Sequence, residues 1–359
     1  MRKRISIQKL DVRKRKDNIL HIATIFSGIG VAEMAHRKVF GYSGTIFACE
    51  IDKFARRSYE ANALNHQNVP FYEDVRTLDT TSYRGYVDVL VGGSPCQDFS
   101  IAGERAGTGG DRGNLIWQYY RIVKECRPEV FVFENVKGFL SIEKGKAYVN
   151  FLNAFRDLGY HCHAEVLNTK DYGIPQNRER LYVVGFLDAD RYFSFRFAPK
   201  QPLKLTLGDM LETSVDEKYF LSERAIRCFK KKDNNFQGSF SPKNPSDTAN
   251  CLTTAAGNRR TDTFIIQRPR GFNKGGELEL CPTISSNSFA QNNPLCGERI
   301  RKLTPRECLR LQGIGDDFKI VVSDTQIYKQ AGNAMSQNVV EMILGQIVGS
   351  KMKNFRLGA

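Results

Sequence analysis

No apolar run in the 359-residue sequence approaches a membrane span; the longest candidate, residues 339–348, is broken by Glu, Gly and Gln. The first ten residues are basic, but no apolar stretch follows them, so they do not read as a secretory leader. A soluble, cytoplasmic, monomeric protein is expected. Cysteine pairing is missing as well. The nine cysteines are odd in number and form no C-x-x-C pair, which argues for reduced thiols and against a disulfide frame. His161-Cys162-His163 is the one cluster of soft ligands. Without a second ligand pair nearby it falls short of the four ligands of a structural zinc site, and no metal is expected. Acidic residues are in deficit: 39 Asp and Glu stand against 53 Lys and Arg, a net charge of +14. Such an excess favours a polyanion and makes nucleic acid the leading partner.

What is present is alternation. Short β-branched, apolar runs occupy residues 22–26, 45–49, 87–91, 130–133, 164–167 and 181–186. Helical patterns fall between several of them, at 31–40, 52–64, 115–125 and 147–158. The expected fold class is therefore α/β: a doubly wound, mostly parallel sheet with helices on both faces. A ligand of such a sheet sits at the carboxyl ends of its strands. From residue 203 to 297 the texture turns to Asn, Ser, Gly, Pro, Arg and Lys, with short strand-like pieces at 263–267 and 277–280. That stretch reads as a second, smaller, loop-rich domain whose surface does the work. The expected divisions are a basic tail (1–18), a catalytic and cofactor-binding domain (19–199), a recognition domain (200–297) and a return to the first domain (298–359).

The groups that carry chemistry collect at the predicted strand ends. Gly28 and Gly30 follow the first strand and allow a sharp turn with main-chain N–H groups aimed at a ligand. Glu50 ends the second strand, where a carboxylate can accept from a nucleoside ribose. Asp74 is placed to accept from an adenine amino group. Cys96, within Gly93-Ser94-Pro95-Cys96-Gln97, follows the apolar strand 87–91, and Pro95 fixes the direction in which the thiol is presented. Glu134 ends the run Val130-Phe-Val-Phe133, so desolvation should raise its pKa. Arg178 and Arg180 are spaced to face one side of an extended segment. A thiol, an acid and two guanidiniums at one sheet edge read as a nucleophile, a proton donor and two anion stabilisers.

In order and spacing these motifs resemble those of the C5-cytosine DNA methyltransferases, from Thr24 to Ile347. The matching pieces are Phe26-x-Gly28-x-Gly30, Glu50, Pro95-Cys96-Gln97, Glu134-Asn135-Val136 and Gln176-x-Arg178-x-Arg180. Arg301-Lys-Leu-Thr-Pro-Arg-Glu307 and Gln330-Ala-Gly-Asn333-Ala334 complete the set. Val31 departs from a further glycine found in many members.

The resemblance implies S-adenosylmethionine as cofactor, lined by Phe26, Gly28, Ile29, Gly30, Glu50, Ile51, Asp74, Val75 and Asn333. It implies that Cys96 adds to carbon 6 of a cytosine flipped out of double-stranded DNA while Glu134 serves ring nitrogen 3. Arg180 would contact the cytosine carbonyl oxygen, Arg178 would neutralise a phosphate or favour the thiolate, and Asn135 would orient the Cys96 loop. The family's Thr-(Leu/Ile/Val) pair is expected at Thr283-Ile284, with Thr253-Thr254 the alternative. Arg259, Arg260, Arg268, Arg270, Asn287 and Gln291 are candidates to read base edges or to hold phosphates. The resemblance implies a role in restriction-modification, beside a cognate endonuclease acting on the same site without a stable complex, or in phage DNA protection. Rival readings are a tRNA cytosine methyltransferase, a silent DNA-binding relative and a nicotinamide-dependent dehydrogenase. The intact Cys96, Glu134 and Arg180 argue against a silent relative, and Pro95-Cys96-Gln97 has no purpose in a dehydrogenase.

Overall fold

The computed structural model describes residues 20–42, 44–62, 69–94, 115–230, 240–254, 259, 262–267 and 299–352. Seven strands form one sheet: β1 (Ile22–Ile25), β2 (Thr45–Cys49), β3 (Phe71–Tyr72), β4 (Val89–Gly92), β5 (Val130–Val136), β6 (His161–Asn168) and β7 (Glu179–Phe186). Their order is β3-β2-β1-β4-β5-β7-β6. The first five pair in parallel, whereas β7 runs antiparallel to both β5 and β6. A separate two-stranded ribbon pairs β8 (Phe264–Gln267) with β9 (Arg299–Lys302).

Both faces of the central strands are apolar, as a sheet covered on two sides requires. On one face Ile22, Val89, Val91, Val130, Val132 and Val184 pack against α1 (Val31–Phe40) and α9 (Gln337–Met352). On the other Ala23, Ile25, Leu90, Phe131, Phe133 and Val183 meet α3 (Leu115–Cys126) and α4 (Lys146–Asp157). The period of two along each strand sorts neighbouring residues into these separate cores. Between β2 and β3 runs α2 (Lys53–Asn62), started by Asp52, whose Oδ1 accepts from the N–H groups of Phe54 and Ala55 at 2.8 and 3.2 Å. The short α5 (Ala189–Ser194) and α6 (Glu223–Lys230) precede the ribbon.

A further core joins Leu207, Met210, Ala249, Leu252 and Ile265 to Leu303, Leu309, Ile327 and Ala331. It thus spans α7 (Pro305–Leu311) and α8 (Asp324–Asn333) and touches Ile29, Val31 and Ala55. Residues after 298 therefore pack first with the polar stretch and return to the sheet only with α9. At the corner between β9 and α7, Thr304 and Glu307 form a reciprocal cap. Glu307 also takes both Arg301 nitrogens at 2.8 Å with neither side chain more than 1% exposed. The main-chain N–H groups of Thr304 and Glu212 occupy the remaining acceptor positions, so this buried pair is fully satisfied.

Candidate active site

A cavity of about 420 Å³ opens at the carboxyl ends of β1, β2, β4 and β5. It is where an open parallel sheet takes its ligand. Its walls include Phe26, Gly28, Ile29, Glu50, Ile51, Asp74, Val75, Glu134, Asn135, Arg178, Arg180 and Asn333.

The turn after β1 is fixed by its backbone. Gly28 and Gly30 have φ of 56° and 85°, which suits glycine, while Phe26 is held at φ 54°, where a side chain is strained. The Gly28 N–H donates to Glu50 Oε2 at 2.9 Å, and the Asp52 N–H donates to Oε1 at 2.8 Å. Burial raises the Glu50 pKa, and these two donors pull it back. Ile51 stands 62% exposed beside the cavity, an apolar surface that a planar ring would cover. Asp74 caps the short turn 75–77 and grips the Arg76 guanidinium at 2.7 Å, which lowers its pKa. These acids and apolar walls fit a nucleoside cofactor: carboxylates for the ribose and the amino group, Phe26 and Ile51 for the ring.

Glu134 lies at the far end of β5, with its side chain 12% exposed. Desolvation raises its pKa, opposed by Arg180 and then Arg178. Arg180 Nε stands 3.3 Å from Glu134 Oε1, and its two terminal nitrogens reach the Glu179 carbonyl at 2.8 Å and Cys251 Sγ at 3.7 Å. A Cβ on Gly93 would lie 2.7 Å from the Glu134 carbonyl oxygen and 2.8 Å from its Oε2, so only glycine lets the chain leaving β4 pass the acid. Asn135 is buried and its Nδ2 donates to the Ser94 carbonyl at 3.3 Å.

Arg178 is tied to the main chain. It is 2% exposed and its guanidinium donates to the carbonyls of Leu252, Gly332 and Ala334 at 3.2, 3.1 and 2.8 Å. With its two terminal nitrogens committed to main chain it is a clamp between distant segments. His161 and His163 sit on β6 and face Tyr192, with His163 stacked on it at 4.3 Å. Among the described residues no group of three potential metal ligands occurs. Burial pushes the thiols of Cys49, Cys126 and Cys162 up to about 12 and raises that of Cys308 well above its ordinary value, so none of these four is a nucleophile at neutral pH.

Cys96, Arg260, Arg268, Arg270, Thr283, Asn287 and Gln291 lie outside the described residues. Arg259 is described: it is exposed, and its backbone is fastened to Asp262 at 2.8 Å. The alternative pair Thr253-Thr254 follows Leu252, which Arg178 and Gln176 hold beside the catalytic pocket. Sequence reasoning overlooked Arg76, Cys251 and Lys329 on or beside the cavity, because each comes from a segment whose pattern carries no signal of its own.

Among the described residues no helix is long and apolar enough to cross a membrane. The sequence matches the C-5 cytosine-specific DNA methylase family over residues 20–349. It is 33% identical over 343 residues to the type II methyltransferase M.Bsp6I of Bacillus sp. (strain RFL6), covering 93% of this chain and all of that one. It is 30% identical to the orphan methyltransferase M.SPRI of Bacillus phage SPR, covering 92% and 97%. The fold is shared with the Entamoeba histolytica methyltransferase EhMeth at a TM-score of 0.69 and 18% identity, covering 93% and 99%. The chain accordingly belongs to the C-5 cytosine-specific DNA methylases, enzymes that use S-adenosylmethionine to methylate DNA.

Proposed function

We propose that the chain methylates carbon 5 of a cytosine flipped out of a specific DNA sequence, through a transient bond to Cys96. The observation that carries this reading is the meeting of Glu134, Arg180 and Asn135 at the cavity, with Asn135 bonded to the main chain two residues before Cys96. S-adenosylmethionine supplies, when bound, an electrophilic methyl on a sulfonium. Phe26, Ile51, Glu50 and Asp74 are the residues that would hold it.

In this reading the Cys96 thiolate adds to carbon 6 of the base. Glu134, its pKa raised by burial, donates to ring nitrogen 3, and electron density passes to carbon 5. Arg180 donates to the base's carbonyl oxygen and keeps Glu134 aligned. Once carbon 5 is methylated, loss of its proton to water expels the thiolate. Extrusion of the base is required because the ring faces are inaccessible in the stack. Residues 200–297 serve as the target-recognition region, and the likeness to M.Bsp6I supports a role beside a restriction endonuclease.

The test is a trap. Cys96→Ala should abolish methyl transfer while DNA binding persists, and DNA carrying 5-fluorocytosine should hold the wild-type protein covalently, because fluorine blocks the last elimination. Labelled methyl transfer at near wild-type rate by Cys96→Ala, or no adduct on a substrate known to be methylated, sinks the covalent route.

A further inference from the structure

Glu33 is a buried acid that does not line the cavity. It sits in the first turn of α1, 2% exposed. Its Oε1 meets the Thr24 hydroxyl of β1 and accepts from the Tyr59 hydroxyl of α2 at 2.7 Å, and its Oε2 has no partner. A buried acid with one oxygen unpartnered is unfavourable relative to a packed apolar side chain, so stability does not explain it. Its neighbours point elsewhere. Thr24 Oγ1 is 2.7 Å from Ser27 Oγ, and Ser27 Oγ is 3.1 Å from both the carbonyl oxygen and the amide nitrogen of Cys49. Cys49 precedes Glu50, and Ser27 lies between the strained Phe26 and Gly28, whose N–H reaches Glu50.

Counting hydrogens gives this chain a direction. Thr24 and Ser27 each own one hydroxyl hydrogen. The Cys49 N–H donates to Ser27 Oγ, and the Cys49 carbonyl is served by the Ser27 N–H at 3.0 Å, which leaves the Ser27 hydroxyl hydrogen for Thr24 Oγ1. Thr24 in turn donates to Glu33 Oε1, so the chain runs from Cys49 through Ser27 and Thr24 to the buried acid. Burial raises the Glu33 pKa, with the Thr24 and Tyr59 bonds opposing it.

We propose that Glu33 is a positioning residue for the cofactor, heading a hydrogen-bond chain through Thr24 and Ser27 that holds the Phe26–Gly28 turn and Glu50 in their receptive form. The proposal rests on the reading of this cavity as the S-adenosylmethionine site. The experiment measures S-adenosylhomocysteine binding by calorimetry, with thermal unfolding alongside, in wild type, Glu33→Gln, Glu33→Leu, Thr24→Val and Glu50→Ala. Glu33→Leu and Thr24→Val should each weaken binding by about tenfold, and the KM for S-adenosylmethionine should rise by more than kcat falls. Glu33→Gln, whose amide oxygen can accept from Thr24 and Tyr59 in place of the acid, should bind within about threefold of wild type. The unfolding midpoint of Glu33→Leu should not fall in proportion to its affinity. If Glu33→Leu does not fold, Thr24→Val decides. A folded variant with wild-type affinity, beside a weakened Glu50→Ala, overturns the positioning role and leaves the cavity assignment standing. Unchanged affinity in Glu50→Ala overturns both.

Discussion

Two influences oppose each other on Glu134. Desolvation favours its neutral form, and Arg180, 3.3 Å away, favours the carboxylate. Burial is the larger, so the acid stays protonated above the ordinary carboxylate range, and the rate should fall as pH rises through that raised value. Glu134→Gln keeps a donor but cannot titrate. Its kcat should drop by about 10²–10⁴ and lose this alkaline limb, read from kcat against pH at saturating substrates. An alkaline limb unchanged in the variant would assign the titration to another group. Glu134 was legible in the sequence because four apolar residues precede it in one strand. The separate fates of Arg178 and Arg180 were not. Two arginines two residues apart look equivalent until the carbonyls of Leu252, Gly332 and Ala334 arrive to claim one of them.

At the scale of elements, the strands were readable because both faces of the sheet are apolar and each run is bounded by polar turns. The two-residue β3 was missed, being too short for any periodicity, and the reversed direction of β7 leaves no trace in composition. What fixes β7 beside β5 is a size match. Gly185 faces Phe131 in register, and a Cβ there would lie 2.1 Å from the ring. The ring cannot retreat, since Phe155 and Tyr160 pack on it with centroids at 4.5 and 5.1 Å. Gly185→Ala should therefore destabilise the fold by about 1–3 kcal/mol in chemical denaturation. A stability equal to wild type would mean that the aromatic cluster yields easily. Because β7 also carries Arg180, the damage should extend to methyl transfer at temperatures where the variant is still folded.

Across the whole molecule, α7 and α8 share a core with Leu207, Met210, Tyr219, Ala249, Leu252 and Ile265 of the polar stretch. Polar texture marked the exposed loops of that region, whereas its buried side chains come from scattered positions that no local pattern links. Sequence choice is expected to live there. Arg259, Arg260, Arg268, Arg270, Asn287 and Gln291 replaced singly should yield at least one enzyme with intact chemistry and a broadened set of methylated sites. The loss at the affected base pair should be about 1–3 kcal/mol, measured by sequencing modified DNA at fixed salt. Phosphate contacts would instead weaken every site alike, and six variants that all keep the parental site would move recognition elsewhere. The Arg178 clamp has a consequence in time. It joins residue 178 to carbonyls at 252, 332 and 334, and Lys329, Gln330, Asn333 and Ala334 close the cavity wall. A ribosome must therefore deliver α8 before the pocket exists, and a nascent or prematurely terminated chain without it should not methylate DNA.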